Sequence, residues 1–242
     1  MLELRNIGFH TDDGKDILTG VNLVLDEKIV VITGPNGGGK STLAKIIAGI
    51  IQPTEGTIWL DGMDITHMSV TERARVGVSL AFQQPVRFKG LTVKDLITIA
   101  AGRDLTLNEA CKYLSEVGLC AKDYIERELN QSLSGGEMKR IEIAMILARD
   151  SKFSVFDEPE AGIDLWSFGN LIHVFEKMHR ETKGTILIIS HQERILNIAD
   201  KIIYLKNGSV ERYGSREEIL PDLLHDTAKA AGCNILMDKL EG

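Results

Sequence analysis

The run Gly34-Pro-Asn-Gly-Gly-Gly-Lys40-Ser41-Thr42 constrains this chain more than any other. It has the spacing G-x-x-x-x-G-K-[ST]. It lies between Lys28–Thr33, a continuous and mostly β-branched stretch, and a helical periodicity over Lys40–Gly49. A strand, a glycine-rich turn and a helix together give that spacing a mechanism. Glycines let N–H groups turn inward without Cβ clashes, and the helix start adds the positive end of its dipole. Gly34, Pro35, Asn36, Gly37, Gly38, Gly39 and Thr42 are therefore the expected phosphate cradle. Lys40 is placed to reach β- and γ-phosphates, and the Ser41 hydroxyl to ligate Mg2+.

The rest of the chain reads as α/β. Strands are expected around Leu2–Phe9, over Ile17–Leu25 and Gly56–Leu60, and as buried runs over Phe153–Asp157 and Thr185–Ser190, with a hairpin at Asn207-Gly208. From Pro85 to Leu133 the periodicity is mostly helical, clearest over Val93–Gly102 and Leu107–Val117. Further helices are expected over Gly136–Arg149 and Leu165–Glu181. This divides the chain into a nucleotide-binding core (1–84 and 134–214), an inserted helical subdomain (85–133) and a short helical appendix (215–242).

Composition narrows the class. At 242 residues and 43% hydrophobic, the chain can bury a sizeable core. A net charge of -7 argues against a nucleic-acid partner held by phosphate contacts. Cys111, Cys120 and Cys233 show no metal-ligand spacing and read as reduced thiols of a cytoplasmic protein. No signal peptide or membrane-spanning run is visible, so any membrane link is expected to come through a partner.

Two motifs downstream complete a pattern. Phe153–Asp157 is an apolar strand that ends in the adjacent carboxylates Asp157 and Glu158. Beside the P-loop strand, Asp157 would be a carboxylate partner of Mg2+, and Glu158, alternating to the other side, could accept a proton from attacking water. Alone this is weak, since strands often leave a core through charged residues. Leu133-Ser134-Gly135-Gly136-Glu137, opening a long helix, is far more specific. By average composition it arises by chance in fewer than roughly one chain in a thousand.

On these motifs the chain resembles the ATP-binding cassette (ABC) ATPases over nearly its whole length. The resemblance implies a P-loop NTPase core of ABC type: a mixed sheet with flanking helices, an antiparallel β subdomain and an inserted α-helical subdomain. It also implies hydrolysis of Mg-ATP between two copies closed head-to-tail. In that family the signature residues, here Ser134, Gly135, Gly136 and Glu137, form a second nest for the γ-phosphate held by the opposite subunit. Gln83 corresponds to the Q-loop glutamine that touches Mg2+ and senses the partner, with Gln84 the alternative one residue on. Glu160–Asp164 corresponds to the D-loop, which reaches across the dimer through Asp164. His191 corresponds to the switch histidine on the γ-phosphate, a role that rests on the resemblance, since a lone histidine after a strand is usually structural. The resemblance thus gives Glu158, His191, Gln83 and Lys40 as the catalytic set, and Ser41, Gln83 and Asp157 as the metal set. One departure stands out: Thr11 occupies the position where the family usually stacks adenine on an aromatic ring, which leaves adenine selectivity open.

The motor implies no cargo. Several stretches look like the SufC-type ATPase of SUF iron–sulfur cluster assembly, which works on a scaffold of the SufB/SufD type. They are Ala81–Val86, Ser134–Arg140, Gly162–Asp164 and His191–Leu196. Asp157-Glu158-Pro159 and the ordinary length look instead like the ATP-binding subunit of a membrane transporter, whose partner is a transmembrane permease. Translation or chromosome-maintenance ATPases normally carry tandem cassettes or a coiled coil, and neither is visible here.

Overall fold

The computed structural model describes residues 1–84, 86, 88–129 and 133–225. The part of the expected appendix beyond residue 225 lies outside the described residues; 216–225 are helical.

Strands β1 (Leu2–His10), β2 (Asp16–Leu25) and β3 (Ile29–Thr33) lead into helix α1 (Lys40–Ala48). Then come β4 (Glu55–Leu60), β5 (Met63–Asp64), α2 (Val70–Val76) and β6 (Val78–Ala81). Three helices follow: α3 (Val93–Ala101), α4 (Leu107–Glu116) and the short α5 (Ala121–Tyr124). The signature helix α6 (Gly135–Arg149), β7 (Phe153–Asp157) and α7 (Leu165–Glu181) return the chain to the core. It is completed by β8 (Thr185–Ile189), α8 (Glu193–Leu196), β9 (Lys201–Lys206) and β10 (Ser209–Ser215).

Two sheets result. One is antiparallel, in the order β2-β1-β4-β5; the other has the order β10-β9-β3-β8-β7-β6 and is parallel except for the β9–β10 hairpin. The central strands β3, β7 and β8 are buried throughout, and alternation sends their side chains into two cores. Ile29, Val31, Phe156, Ile186 and Ile188 join the core under α3, α4, α6 and α7. Val30, Ile32, Val155, Leu187 and Ile189 join the core shared with α1 and the antiparallel sheet. Replacing one such isoleucine with alanine would cost about 2–5 kcal/mol, because the gap cannot collapse between sheet and helix.

Several elements were not anticipated. The edge strand β6 is only four residues long and carries Ser79, which donates to the Ser154 hydroxyl of β7. Helix α2 starts at a capping box formed by Ser69 and Glu72, a signal present in the sequence. The first turn of α6 begins at Gly135, one residue earlier than expected. Arg73, on α2, is fully buried and donates to the carbonyls of Ile46, Ile47, Thr66 and Met68. It thereby satisfies the last carbonyls of α1 and fixes the helix that starts at the P-loop. Burial pulls its guanidinium down to about 10.

Candidate active site

The phosphate cradle follows from how β3 ends. Gly34 has φ 138°, and a Cβ there would lie 1.9 Å from the Leu205 carbonyl oxygen, so only glycine lets the loop pass β9. Gly39 caps α1 at φ 100°, hemmed in by Ile17 and Leu18. Lys40 opens the helix and is nearly buried, its Nζ donating to the Gly34 and Pro35 carbonyls at 2.8 and 2.9 Å. Burial lowers its pKa, against the pull of Glu158 and Asp157. The cleft here is lined by Lys15, Ile17, residues 36–42 and Glu158.

Strand register assembles the carboxylate side. Asp157 pairs with Ile189 on β8, which itself pairs with Ile32 on β3. That places the Asp157 carboxylate at the start of α1, where it accepts from the Ser41 hydroxyl at 3.1 Å. Burial raises the Asp157 pKa, a penalty that a cation beside it would relieve. A hydroxyl and a carboxylate together are hard oxygen donors of the kind Mg2+ takes, with the remaining positions left to phosphate and water. Ser41 and Asp157 thus fit the metal.

Glu158 leaves the strand in an unusual conformation. Its φ is 47° and Pro159 follows, a left-handed arrangement that costs a non-glycine residue about 1–3 kcal/mol. Its N–H donates to the Ile189 carbonyl, and its own carbonyl accepts from Ala161, so the turn is over-determined. The side chain is thereby aimed into the cleft. From the other side, Ala81 pairs with Phe156, so β6 ends level with β7. Two residues later the Gln83 Nε2 donates to the Glu158 Oε2 at 2.7 Å. Gln83, rather than its neighbour Gln84, is the residue brought to the carboxylate. His191, after β8, lies with its Nδ1 3.5 Å from the Thr33 Oγ1. Burial first, then the Lys40 charge, lowers the His191 pKa, which favours the neutral ring.

The signature motif stands apart from this cleft. Ser134 is the N-cap of α6: its hydroxyl accepts from the Glu137 N–H at 3.2 Å, and the Glu137 carboxylate accepts from the Ser134 N–H at 2.7 Å. Glu137 also takes the Tyr124 hydroxyl, so its oxygens hold the motif together. Gly136 packs against the backbone of Gly162 and Ile163, which sets the signature beside the D-loop. Asp164 is exposed directly before α7. None of Ser134, Gly135 or Gly136 lines the P-loop cleft of its own chain.

The family model for the ABC transporter matches residues 18–161, which span the P-loop, the Q-loop, the signature and the β7 carboxylates. The chain belongs to the ABC transporter family. It is 38% identical over 215 residues to an uncharacterized ABC transporter ATP-binding protein of Methanocaldococcus jannaschii, covering 85% of each chain. It is 35% identical over 221 residues to a putative ABC transporter ATP-binding protein of Pyrococcus furiosus, covering 88% of this chain and 83% of that one. Among solved structures it resembles the ATP-binding cassette MJ0796, described as a dimer in a post-hydrolysis state bound to ADP and Pi. There the TM-score is 0.79 at 26% identity, over 89% of this chain and 99% of that one. CbiO1 of Clostridium perfringens, part of the cbiONQ transporter complex, matches at a TM-score of 0.76 and 25% identity over 98% of both chains.

The cassette is thus a P-loop ATPase that works on ATP with Mg2+. Ser41 and Asp157 are the residues that would hold the metal, which would supply charge neutralisation across the phosphates. The polypeptide supplies the rest. The P-loop amides and Lys40 are placed to hold phosphate oxygens, Glu158 lines the same cleft and is placed to orient a water, and the Gln83 amide donates to one Glu158 oxygen. With the His191 pKa lowered, the neutral ring keeps one N–H, and that is the group it has to donate to a phosphate oxygen.

Proposed function

We propose that two copies of this cassette close head-to-tail around two Mg-ATP, each contributing its Ser134–Gly136 turn to the other's phosphates, and that closure moves a membrane permease subunit. The separation of the signature from its own P-loop cleft supports the dimer: half of each site is supplied only by another copy. Glu158 acts as the proton acceptor, Gln83 and His191 read the γ-phosphate, and Asp164 reaches the partner copy.

The observation that carries the permease is an apolar cleft between α2, β6 and the helices of 93–149, with a cavity of ≈ 240 Å³. Ile50, Val70, Phe82, Val86 and Phe88 line it and are all exposed. Clustered exposed apolar side chains mark an interaction surface, and this one suits a short apolar-faced helix. It begins one residue from Gln83, so an occupant there bears on the catalytic carboxylate. No helix among the described residues is long and apolar enough to cross a membrane. The names of the relatives, transporter ATP-binding proteins, support this reading.

A second reading puts a SufB/SufD-type iron–sulfur scaffold in the same cleft. One observation favours it: no aromatic side chain lines the nucleotide cleft among the described residues, as in the SufC-type resemblance at Thr11. An affinity pull-down from native cells, with and without detergent, decides. A polytopic subunit recovered only with detergent supports the permease. A soluble partner carrying cluster-ligating cysteines, recovered without detergent, replaces it with the scaffold.

A further inference from the structure

Lys139 and Glu142 form an ion pair inside the molecule that the reaction described so far does not use. Lys139 is fully buried, and the Glu142 side chain is only 15% exposed. Both sit on α6, and their charged groups lie 3.4 Å apart. A buried pair of this kind rarely stabilises a fold more than apolar residues of the same volume would, so its presence asks for a function. Here both members act on one residue of another segment. The Lys139 Nζ donates to the Phe82 carbonyl, and the Glu142 Oε1 accepts from the Phe82 N–H at 2.9 Å.

Phe82 is where three parts of the machine meet. Its side chain lines the apolar partner cleft, its backbone is held from both sides by α6, and the next residue is Gln83, bonded to Glu158. The helix gripping Phe82 is the one whose N-terminus is the signature turn. Other backbone groups just past a strand end commonly bond to water, which would let the Q-loop swing independently. The pair removes that freedom.

We propose that Lys139 and Glu142 are positioning residues: they clamp the Phe82 peptide to the signature helix, so that the signature and Gln83 move as one body and Gln83 reaches Glu158 only when α6 is correctly placed. The clamp converts a shift of the signature helix, or of a partner on Phe82, into a shift of the glutamine amide at the catalytic carboxylate. This rests on the catalytic roles of Gln83 and Glu158 proposed above, but not on which partner fills the cleft.

The test is steady-state ATP hydrolysis by the full chain. Lys139→Met with Glu142→Leu removes both charges together and leaves no buried charge unpaired. The expected result is a kcat lowered by at least about tenfold, with KM for ATP within about twofold of the parent, the split expected when positioning is lost and binding is kept. The same pair of changes made on Gln83→Ala should lower kcat no further, because the clamp acts through that glutamine. As a check that does not depend on the double variant folding, Glu142→Gln keeps an oxygen for the Phe82 N–H and Glu142→Ala does not. The Gln variant should turn over at least fivefold faster than the Ala variant. Parental kcat in the double variant, multiplicative losses on Gln83→Ala, or equal rates for Glu142→Gln and Glu142→Ala would each overturn the clamp. Full turnover in Glu158→Gln would instead remove the catalytic assignment while leaving the clamp measurable.

Discussion

The side-chain amide of Gln83 and the carboxylate of Glu158 meet at 2.7 Å, from segments 75 residues apart in the chain. The contact exists because β6 and β7 end level, Ala81 opposite Phe156, and because the left-handed turn at Glu158 swings its side chain toward the P-loop. A glutamine that donates to one carboxylate oxygen leaves the other free to accept from water. The geometry suits a general base whose orientation depends on a neighbouring loop.

Glu158→Gln is expected to bind ATP normally and to hydrolyse it about 10²–10⁴-fold more slowly, since the amide cannot take a proton. Trapped with ATP, it should run as a dimer on size exclusion, while the parent returns to its resting state. Phosphate release measured beside the elution profile checks both halves. Turnover at the parental rate would show that another group is the base.

Gln83→Ala should lower kcat by up to about a hundredfold through misplacement of the carboxylate, with a smaller effect on KM. Gln84→Ala should stay close to the parent, because Gln84 is exposed and, among the described residues, it is Gln83 that bonds to Glu158. The two variants side by side decide which glutamine of the pair is the sensor. An equal loss in both would mean that the loop as a whole, and not one amide, carries the effect.

Acid stability follows from the capping boxes. Glu72, Asp95, Glu109 and Glu137 each accept from the backbone N–H of their own N-cap, and each carboxylate is held below its ordinary range, chiefly by hydrogen bonds. For Glu109 the bonds from Thr106 and Arg103 lower the value to about 2. A depressed carboxylate stabilises the fold above its unfolded pKa, and that contribution is lost as pH falls through the folded one. The Glu109 contribution is therefore complete above about pH 4.5 and disappears toward pH 2. Thermal midpoints recorded from pH 6 to pH 2 should fall less steeply for Glu109→Gln than for the parent. Parallel curves would place the acid sensitivity elsewhere.

The parts that reason well from sequence are those whose signal is local. β3, β7 and β8 read as unbroken apolar runs because both their faces are buried, and the P-loop glycines are demanded by backbone contacts within a short loop. The site residues Lys40, Ser41, Asp157 and Glu158 follow from those strand ends. What escapes is long-range. β6 is a four-residue strand with a polar residue in it, and only its pairing with β7 defines it. Arg73, Lys139 and Glu142 look like solvated charges on helices, yet they are buried against backbone groups far away in the chain. The local periodicity of α6 does not show them either, because that helix is buried on nearly every side. Ser134 shows a further limit: small residues at a helix start suggest a phosphate nest, and the structure adds that the hydroxyl caps the helix.

Base recognition gives the last prediction. Beyond the phosphates the cleft is lined by Lys15 and Ile17, with no aromatic ring among its described residues. Thr11 is tied to the lining residue Lys15: its N–H donates to the Lys15 carbonyl at 3.0 Å, and its hydroxyl is shared between Lys15 and Asp13. An aliphatic wall offers a purine contact area but no preferred stacking partner and no hydrogen-bond code. ATP and GTP should therefore be hydrolysed with KM values within about threefold of each other, most of the affinity lying in the phosphates common to both. Thr11→Tyr would add a ring on the segment that carries Lys15. Stacking of a base on an aromatic side chain is worth about 1–3 kcal/mol, so that variant should bind ATP roughly tenfold more tightly. Competition between ATP, GTP and a fluorescent nucleotide measures both effects. A parent that already prefers ATP by a hundredfold would mean that Lys15 and Ile17 read the base edge after all, and Thr11→Tyr would then gain nothing.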